Sequence, residues 1–299
     1  MRRDLNRGGF TLPEMLVALL LFGVIAAAII GVAVRQQRFY HGALEVMGMR
    51  QQLHQALAIV PVDLRGVSSI GGDIVALTDS SLDVRATIGS AIVCSHTPNS
   101  VTVPPPNARH LTTFLTRARV NDVLLVLDDG TPGNGDDLWR SYTIGSIDST
   151  LSGCPRFTGT ALDAGQYSYR YLVTRDLSGT ITDGAPLRML RRVKYSIYRS
   201  SDNLWWLGNR ECRGDGSQCA TVQPVAGPFR PYVANDTANS GVSFVYRDST
   251  GAVTRSATEV ARIELFANGQ TRGPLSLGSN AIGPFRERVR LSIALRNRR

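Results

Sequence analysis

The stretch that decides the fold of this 299-residue chain is Gly8-Gly9-Phe10-Thr11-Leu12-Pro13-Glu14, followed by the uncharged run Met15–Val34. The run has 20 residues, which as an α-helix is long enough to cross about 30 Å of hydrocarbon. Three arginines precede it at positions 2, 3 and 7. They predict that this short leader stays cytoplasmic and that the rest of the chain lies across the membrane. We therefore expect one membrane-spanning helix at about residues 15–34.

A secretory signal peptide is the main alternative for such a segment. A signal peptide has a shorter apolar core, and its small-residue cleavage site follows that core. Here the glycine pair Gly8-Gly9 comes before the apolar run, and Ala26-Ala27-Ala28 lies inside it. The order of these features favours a retained helix with processing on its amino-terminal side.

Glu14 is a carboxylate at the border of the apolar run, where a charge is costly and is expected to have a partner. No Lys, Arg or His occurs in the 20 residues after it. A cut before Phe10 would create a new amino terminus, and a neighbouring subunit could supply that cation to Glu14. The alternative is that Glu14 lies at the membrane surface and is solvated.

The sequence Gly9-Phe10-Thr11-Leu12-Pro13-Glu14 resembles the class III signal of type IV prepilins and type II secretion pseudopilins. The resemblance implies that a prepilin peptidase cuts between Gly9 and Phe10 and methylates the Phe10 amine. It also implies that Glu14 pairs with the Phe10 amine of a neighbouring subunit during assembly. Pro13 stands where this family more often has a branched aliphatic residue, but proline is tolerated in a first helical turn.

The same resemblance implies a set of partners and a location. The partners are sibling pilins or pseudopilins, the prepilin peptidase, an inner-membrane assembly platform and an ATPase. The protein would be a single-pass inner-membrane protein with its head in the periplasm or outside the cell. It would then enter a filament or the tip of a filament.

Beyond the apolar run, the spacing of apolar residues predicts that the helix continues as an amphipathic stem. Apolar side chains repeat at three- and four-residue steps from Phe39 to Val60, with Arg50 as the one interruption. Pro61 predicts the end of the helix near Val60. After it, the helical period gives way to short β-type runs separated by turn residues. The strands are expected at residues 73–76, 81–88, 101–103, 123–127, 138–147, 167–174, 189–199, 204–207, 242–247, 253–255, 260–266 and 288–295.

The predicted fold class is therefore α+β, with a long N-terminal helix packed on a β-rich antiparallel head. The expected divisions are a leader at 1–9, a stem helix at 10–61 and a head at 62–299. The head forms one large lobe or two smaller ones joined near residues 176–186. This order of elements resembles the J-type minor pseudopilins and the W-type minor pilins.

The four cysteines, at positions 94, 154, 212 and 219, form no CxxC pair and have no zinc-ligand spacing. An even number in an exported chain favours disulfides, and four cysteines allow three connectivities. We expect Cys212–Cys219, because it closes a short Gly- and Asp-containing loop, and then Cys94–Cys154. The Arg213-Gly214-Asp215 tripeptide in that loop has the sequence of an adhesion motif, but Gly and Asp are also the residues that tight turns use.

The acidic segment 128–137 has two interpretations. Asp128, Asp136 and Asp137 could offer oxygen ligands to Ca²⁺, but the spacing of an EF-hand loop and its bidentate Glu are missing. Asp-Gly and Asn-Gly pairs are equally typical of hairpin turns. We therefore expect a turn, with calcium as the alternative, and no cofactor elsewhere in the chain.

Composition and motifs limit the function. The formal net charge is +9, which suits DNA or acidic lipid, but the arginines are scattered and could form an ordinary solvated surface. No HExxH, GxSxG, phosphate-loop or GxGxxG motif occurs, so the chain is not expected to be an enzyme. We expect a minor subunit that initiates or caps a pilus or secretion pseudopilus. The alternatives are a pilus-tip module that contacts DNA or a surface through the basic head, and an anchored protein that never assembles.

Overall fold

The computed structural model describes residues 11–105, 112–130, 135–150, 167–275 and 283–295. Its first element is helix α1, Leu12–Leu64. The predicted end near Val60 is wrong by one turn, because Pro61 lies inside the helix. Proline removes its own N–H donor and crowds the carbonyl four residues earlier, so both effects act on the preceding turn. The Pro61 carbonyl still accepts a hydrogen bond from the Arg65 N–H at 3.0 Å. The last turn therefore forms despite the proline.

Fourteen strands follow α1 in the described part of the chain. Together they form a sheet in the order β12-β13-β11-β10-β9-β6-β7-β8-β4-β3, with β2 beside β9, β1 and β5 beside β2, and β14 beside β13. The strands are β1 Ile74–Leu77, β2 Ser81–Ile92, β3 Ser95–Thr97, β4 Ser100–Val103, β5 Thr113–Phe114, β6 Val123–Asp128, β7 Leu138–Thr150, β8 Ser168–Val173, β9 Pro186–Arg199, β10 Trp205–Cys212, β11 Gln223–Phe229, β12 Val242–Arg247, β13 Arg262–Leu275 and β14 Gly283–Ala294.

Strand β9 is the centre of this sheet. β2 pairs with one of its edges, and β10 and β6 pair in succession with the other, all antiparallel. Buried apolar side chains from β2, β4, β6, β7, β8 and β9 form one hydrophobic core, which includes Leu124, Ile144, Leu187 and Met189. The α+β class and the antiparallel head predicted from the sequence are confirmed.

The segment expected to join two lobes contributes to that same core. Leu177, Ile181 and Ala185 are buried in it, and the role of residues 176–186 as a junction between lobes remains a prediction. Contacts divide the chain differently, into one unit of Met1–Arg50 with Thr271–Arg286 and another of Gln51–Gln270 with Glu287–Arg299. The division into leader, stem and head at 9 and 61 remains a prediction.

Three strands were not predicted, and one expected strand is reduced to a single bridge. β11 carries Pro224 and Pro228, which hide a strand pattern because proline cannot donate to a ladder. β3 and β5 have only three and two residues, too few to show a period. Residues 253–255 make only the isolated bridge between Arg247 and Val253.

Candidate assembly site

Glu14 is in the first turn of α1, where its carboxylate makes one of the two hydrogen bonds of a capping box with Thr11. The Thr11 N–H donates to Glu14 Oε2 at 3.0 Å. The Thr11 hydroxyl donates to the same oxygen at 3.1 Å. A side-chain acceptor three residues into the helix is what satisfies an amide at a helix start. The negative charge at this end also interacts favourably with the helix dipole.

The contacts with Thr11 give Glu14 a local role at the helix start, in addition to the predicted pairing with a cation. The signal was present in the sequence as Thr11-Leu12-Pro13-Glu14, which has the Ser/Thr-x-x-Glu spacing of a capping box. The two hydrogen bonds occupy an oxygen but bring no cation to the carboxylate. Gly9 and Phe10 lie outside the described residues, so their cleavage, and the pairing of Glu14 with a Phe10 amine, remain predictions.

The apolar side chains that follow Glu14 are exposed along the helix. In the described part of the chain, α1 is the one helix long and apolar enough to cross a membrane. Large side chains of its apolar run, such as Leu16, Phe22 and Ile29, are more than half exposed. Such a surface fits a membrane-anchored protein, because lipid or other apolar helices can cover it.

Exposed apolar groups continue past the predicted span. Phe39, Tyr40, Leu44 and Met47 are each more than 60% exposed. Tyr40, Leu44 and Met47 are four and three residues apart, so they lie on one side of the helix. This stripe lies beyond residues 15–34, so it offers apolar surface where the predicted membrane helix has already ended.

Another side of the same helical segment contacts β13 at Gly273 and β14 at Phe285. The Gly273 N–H donates to Glu45 Oε2 at 3.2 Å. The Arg50 guanidinium lies over the Phe285 ring, 5.9 Å from its centroid. Arg50, which interrupts the amphipathic pattern of the sequence, therefore has an aromatic neighbour.

The last turns of α1 are anchored on the sheet. Leu53, Ala56, Val60 and Leu64 are buried, at steps of three and four residues. At the helix end, the Tyr195 hydroxyl donates to Asp63 Oδ2 at 2.6 Å. Burial raises the pKa of Asp63 above its ordinary value, although the Tyr195 hydrogen bond partly opposes that shift.

The structure brings Cys212 and Cys219 together in a disulfide. The loop that it closes is attached to the turn before β6, because the Gly214 N–H donates to the Asn121 carbonyl at 2.9 Å. Cys94 is also disulfide-bonded. Cys154 lies outside the described residues, so the pairing Cys94–Cys154 remains a prediction.

The acidic turn after β6 is partly used for internal contacts. Asp128 is buried, forms an ion pair with Arg140 and accepts a hydrogen bond from the Gly130 N–H at 3.2 Å. Burial raises the pKa of Asp128, but hydrogen bonds from Thr180 and Arg140 outweigh it and hold the pKa below its usual range.

Asp137, near the end of this acidic segment, lies close to other carboxylates. A hydrogen bond with Asp129 raises the pKa of Asp137, and the nearby Asp136 adds to the effect. The described residues contain no group of three or more His, Cys, Asp or Glu side chains that could hold a metal ion. Calcium binding by Asp128, Asp136 and Asp137 stays an untested alternative to a plain turn.

A charged network beside the disulfide loop was not predicted. Arg191 is buried and donates to Asp122, with its closest contact at 2.8 Å. Glu211 accepts from Arg191 at 3.3 Å and from Arg119 at 2.9 Å. These residues lie far apart in the sequence, so no local pattern marks them. The network joins β9, β10 and the turn before β6.

Comparison with known families gives one match. The model of the prokaryotic N-terminal methylation motif matches residues 4–30. No curated protein and no solved structure matches the chain. The motif implies processing by a prepilin peptidase and assembly with other pilins, and proteins that carry it are structural. The exposed apolar helix and the antiparallel β-sheet head are consistent with that motif. This chain therefore carries the class III signal of a type IV prepilin-like protein.

Proposed function

We propose that this chain is a minor pilin-like structural subunit that helps to initiate or cap a type IV pilus or a type II secretion pseudopilus. The observation that carries the proposal is the methylation motif at residues 4–30, joined to a helix whose apolar side chains are exposed. Such a helix needs lipid before assembly and neighbouring helices afterwards, because neither state leaves its apolar surface in water.

The size of the head supports a minor role rather than that of the main subunit. Residues 62–299 follow the predicted stem, and their strands form one wide sheet. A head of this size is bulky for a filament of many close-packed copies. One or a few copies at the start or the tip avoid that crowding.

The proposed mechanism starts with the prepilin peptidase, which cuts the Gly9–Phe10 peptide bond and exposes the Phe10 amine. Glu14 of one subunit then attracts the Phe10 amine of another, since pairing neutralises two charges that are costly near hydrocarbon. The Thr11 contacts hold the Glu14 carboxylate at the helix start until that pairing occurs. The platform and ATPase would extract the subunit, and its exposed stripe at Tyr40, Leu44 and Met47 would pack against sibling stems.

In this proposal the protein has no catalytic residue. Its contribution is a charged helix start, an apolar stem and a folded head. Phe10 and Glu14 act through binding and packing, and the peptidase supplies the covalent chemistry.

The test separates the charge of Glu14 from its capping role. In Glu14→Gln, the amide oxygen can still accept the two Thr11 hydrogen bonds, but the charge is gone; Glu14→Leu loses both. We expect both variants to be cleaved and membrane-bound, and both to fall in the sheared filament fraction by at least about tenfold. The control is Asp148→Asn, which removes an exposed carboxylate from β7.

Quantitative immunoblots of the membrane and filament fractions give the readout. Normal incorporation of Glu14→Gln would contradict the charge-pairing mechanism. If the wild-type chain is cleaved but never enters a filament fraction, the protein is an anchored subunit that does not assemble, and the proposed function fails.

A further inference from the structure

One face of the β12–β13–β14 end of the sheet carries four arginines around a buried carboxylate; we call it the arginine face. Its members are Arg247 on β12, Arg262 and Glu264 on β13, and Arg288 and Arg290 on β14. Glu264 is fully buried and lies 2.5 Å from an Arg290 nitrogen and 3.0 Å from an Arg247 nitrogen. One acid cannot balance four guanidinium groups, so the face carries excess positive charge.

The pairing of β12 with β13 adds a local conflict. Arg247 and Arg262 are direct cross-strand partners, and like charges at opposed positions destabilise a sheet. A residue choice that works against the local structure points to a functional reason. An anion bound between these side chains would relieve the repulsion.

The two β14 arginines are held in place by an aromatic ring. The Arg288 guanidinium lies 4.9 Å from the centroid of Phe266, and that of Arg290 lies 5.5 Å from it. The described contacts give Arg288 no ion pair or hydrogen bond, and its side chain is exposed. Its donors are thus free while the ring limits its motion, and such a guanidinium is suited to bidentate contact with phosphate.

Protection of an edge strand explains only part of this surface. Exposed charges on an edge discourage pairing with other chains, which could account for Arg288 and Arg290 on β14. It does not account for Arg262, because β13 pairs with β12 and with β14. The charge extends over three adjacent strands, so it forms a surface rather than a single guarded edge.

We propose that the arginine face binds the phosphate backbone of duplex DNA without reading its bases. Arg288 and Arg290 are two residues apart on one strand, about 6.6–6.8 Å along it, and neighbouring strands add a second row of cations. A ligand with regularly repeated phosphates matches such rows. Single strands are bound through exposed aromatic platforms, whereas Phe266 is buried beneath the arginines.

The experiment uses the full chain in nanodiscs of uncharged, zwitterionic lipid. Fluorescence anisotropy measures its affinity for a labelled 30-base-pair duplex over a series of salt concentrations. The test variant is Arg262→Gln/Arg288→Gln. The control variant, Arg65→Gln/Arg213→Gln, removes the same charge from exposed positions elsewhere.

We expect the test variant to bind about tenfold more weakly than the control at low salt. We also expect the slope of log affinity against log salt to become shallower by about 2, since two phosphate contacts are lost. The thermal midpoint of Arg262→Gln should not fall, because the substitution removes the repulsion with Arg247. A structural role for Arg262 would instead lower that midpoint and leave binding unchanged.

Equal duplex affinity and equal slope in the test and control variants would overturn the proposal. Displacement of the duplex by polyglutamate at the same charge concentration would overturn it as well, by showing that the surface takes an acidic protein. None of these arginines lies on α1, so loss of DNA binding and loss of filament entry are separate outcomes.

Discussion

At the scale of single residues, Glu14 makes a local contact in the structure and has a further role, pairing with a cation, in the proposed mechanism. Its carboxylate accepts from the Thr11 N–H and hydroxyl, and its charge remains available to a cation. The capping contact is local and follows from the Thr-x-x-Glu spacing. The cation belongs to another molecule in the proposed mechanism, so no single chain can display it.

Other residue contacts could not be predicted because their partners are distant in sequence. Asp63 and Tyr195 are 132 positions apart. The sequence around Asp63 therefore gives no sign that a buried tyrosine hydroxyl donates to it. The same is true of Arg191 and Asp122, which are 69 positions apart. Burial and pairing of such groups depend on the complete sheet.

The raised pKa of Asp63 predicts how stability changes with pH. Burial disfavours the carboxylate, so the folded chain holds the proton more tightly than the unfolded chain does. Stability from this group is fully present below the unfolded pKa, and it is lost as the pH rises through the raised folded value. Asp63→Asn keeps an acceptor for Tyr195 and cannot ionise. The substitution should therefore remove the loss of stability that occurs as the pH rises.

Thermal unfolding of the full chain in detergent at acidic and neutral pH provides the measurement. We expect Asp63→Asn to gain stability over the wild-type chain at neutral pH, and the difference to shrink as the pH falls. Asp148→Asn, at an exposed position, serves as the control and should show no such trend. A stability loss in Asp63→Asn that is larger at neutral pH would contradict the account.

At the scale of elements, strands were predictable where the local pattern was strong. Val123–Leu127 is a continuous apolar run and lies in β6, and residues 242–247 coincide with β12. The strand β11, with its two prolines, forms only because β10 and β13 pair with it. The alternation in β14 was predicted from residue 288, but the strand begins at Gly283, where glycine and proline obscure the pattern.

The helix contains two kinds of apolar position, and one substitution type can distinguish them. Leu53 is 1% exposed, whereas Leu44 is 64% exposed. Leu53→Ala should lower the free energy of unfolding by about 2–5 kcal/mol, because it removes buried methyl groups and leaves a cavity. Leu44→Ala should change it by less than about 0.5 kcal/mol, and should instead reduce entry into filaments.

Chemical unfolding in detergent and the filament-fraction assay measure the two effects separately. The pair acts as its own control, since both substitutions remove the same atoms from the same helix. A large stability loss in Leu44→Ala, or normal assembly of that variant, would contradict the proposal that the side of α1 carrying Leu44 packs against sibling stems.

At the scale of the whole molecule, the fold class could be predicted because the spacing of apolar residues changes along the chain. A helical repeat runs through the stem, and short strands follow it, so a long helix with an antiparallel head was predictable. The order of the strands was not, because β9 pairs with β2, β6 and β10 through long-range contacts. The arginine face depends on that order, since it combines side chains from β12, β13 and β14.

The central claim is that the chain is processed at its amino terminus before it assembles. Intact-mass and peptide mass spectrometry of the membrane-bound protein from its native cells tests this claim most directly. We predict a chain that begins at Phe10, with a methyl group on the Phe10 amine. A membrane-bound chain that still begins at Met1, in cells whose prepilin peptidase is active, would contradict the account.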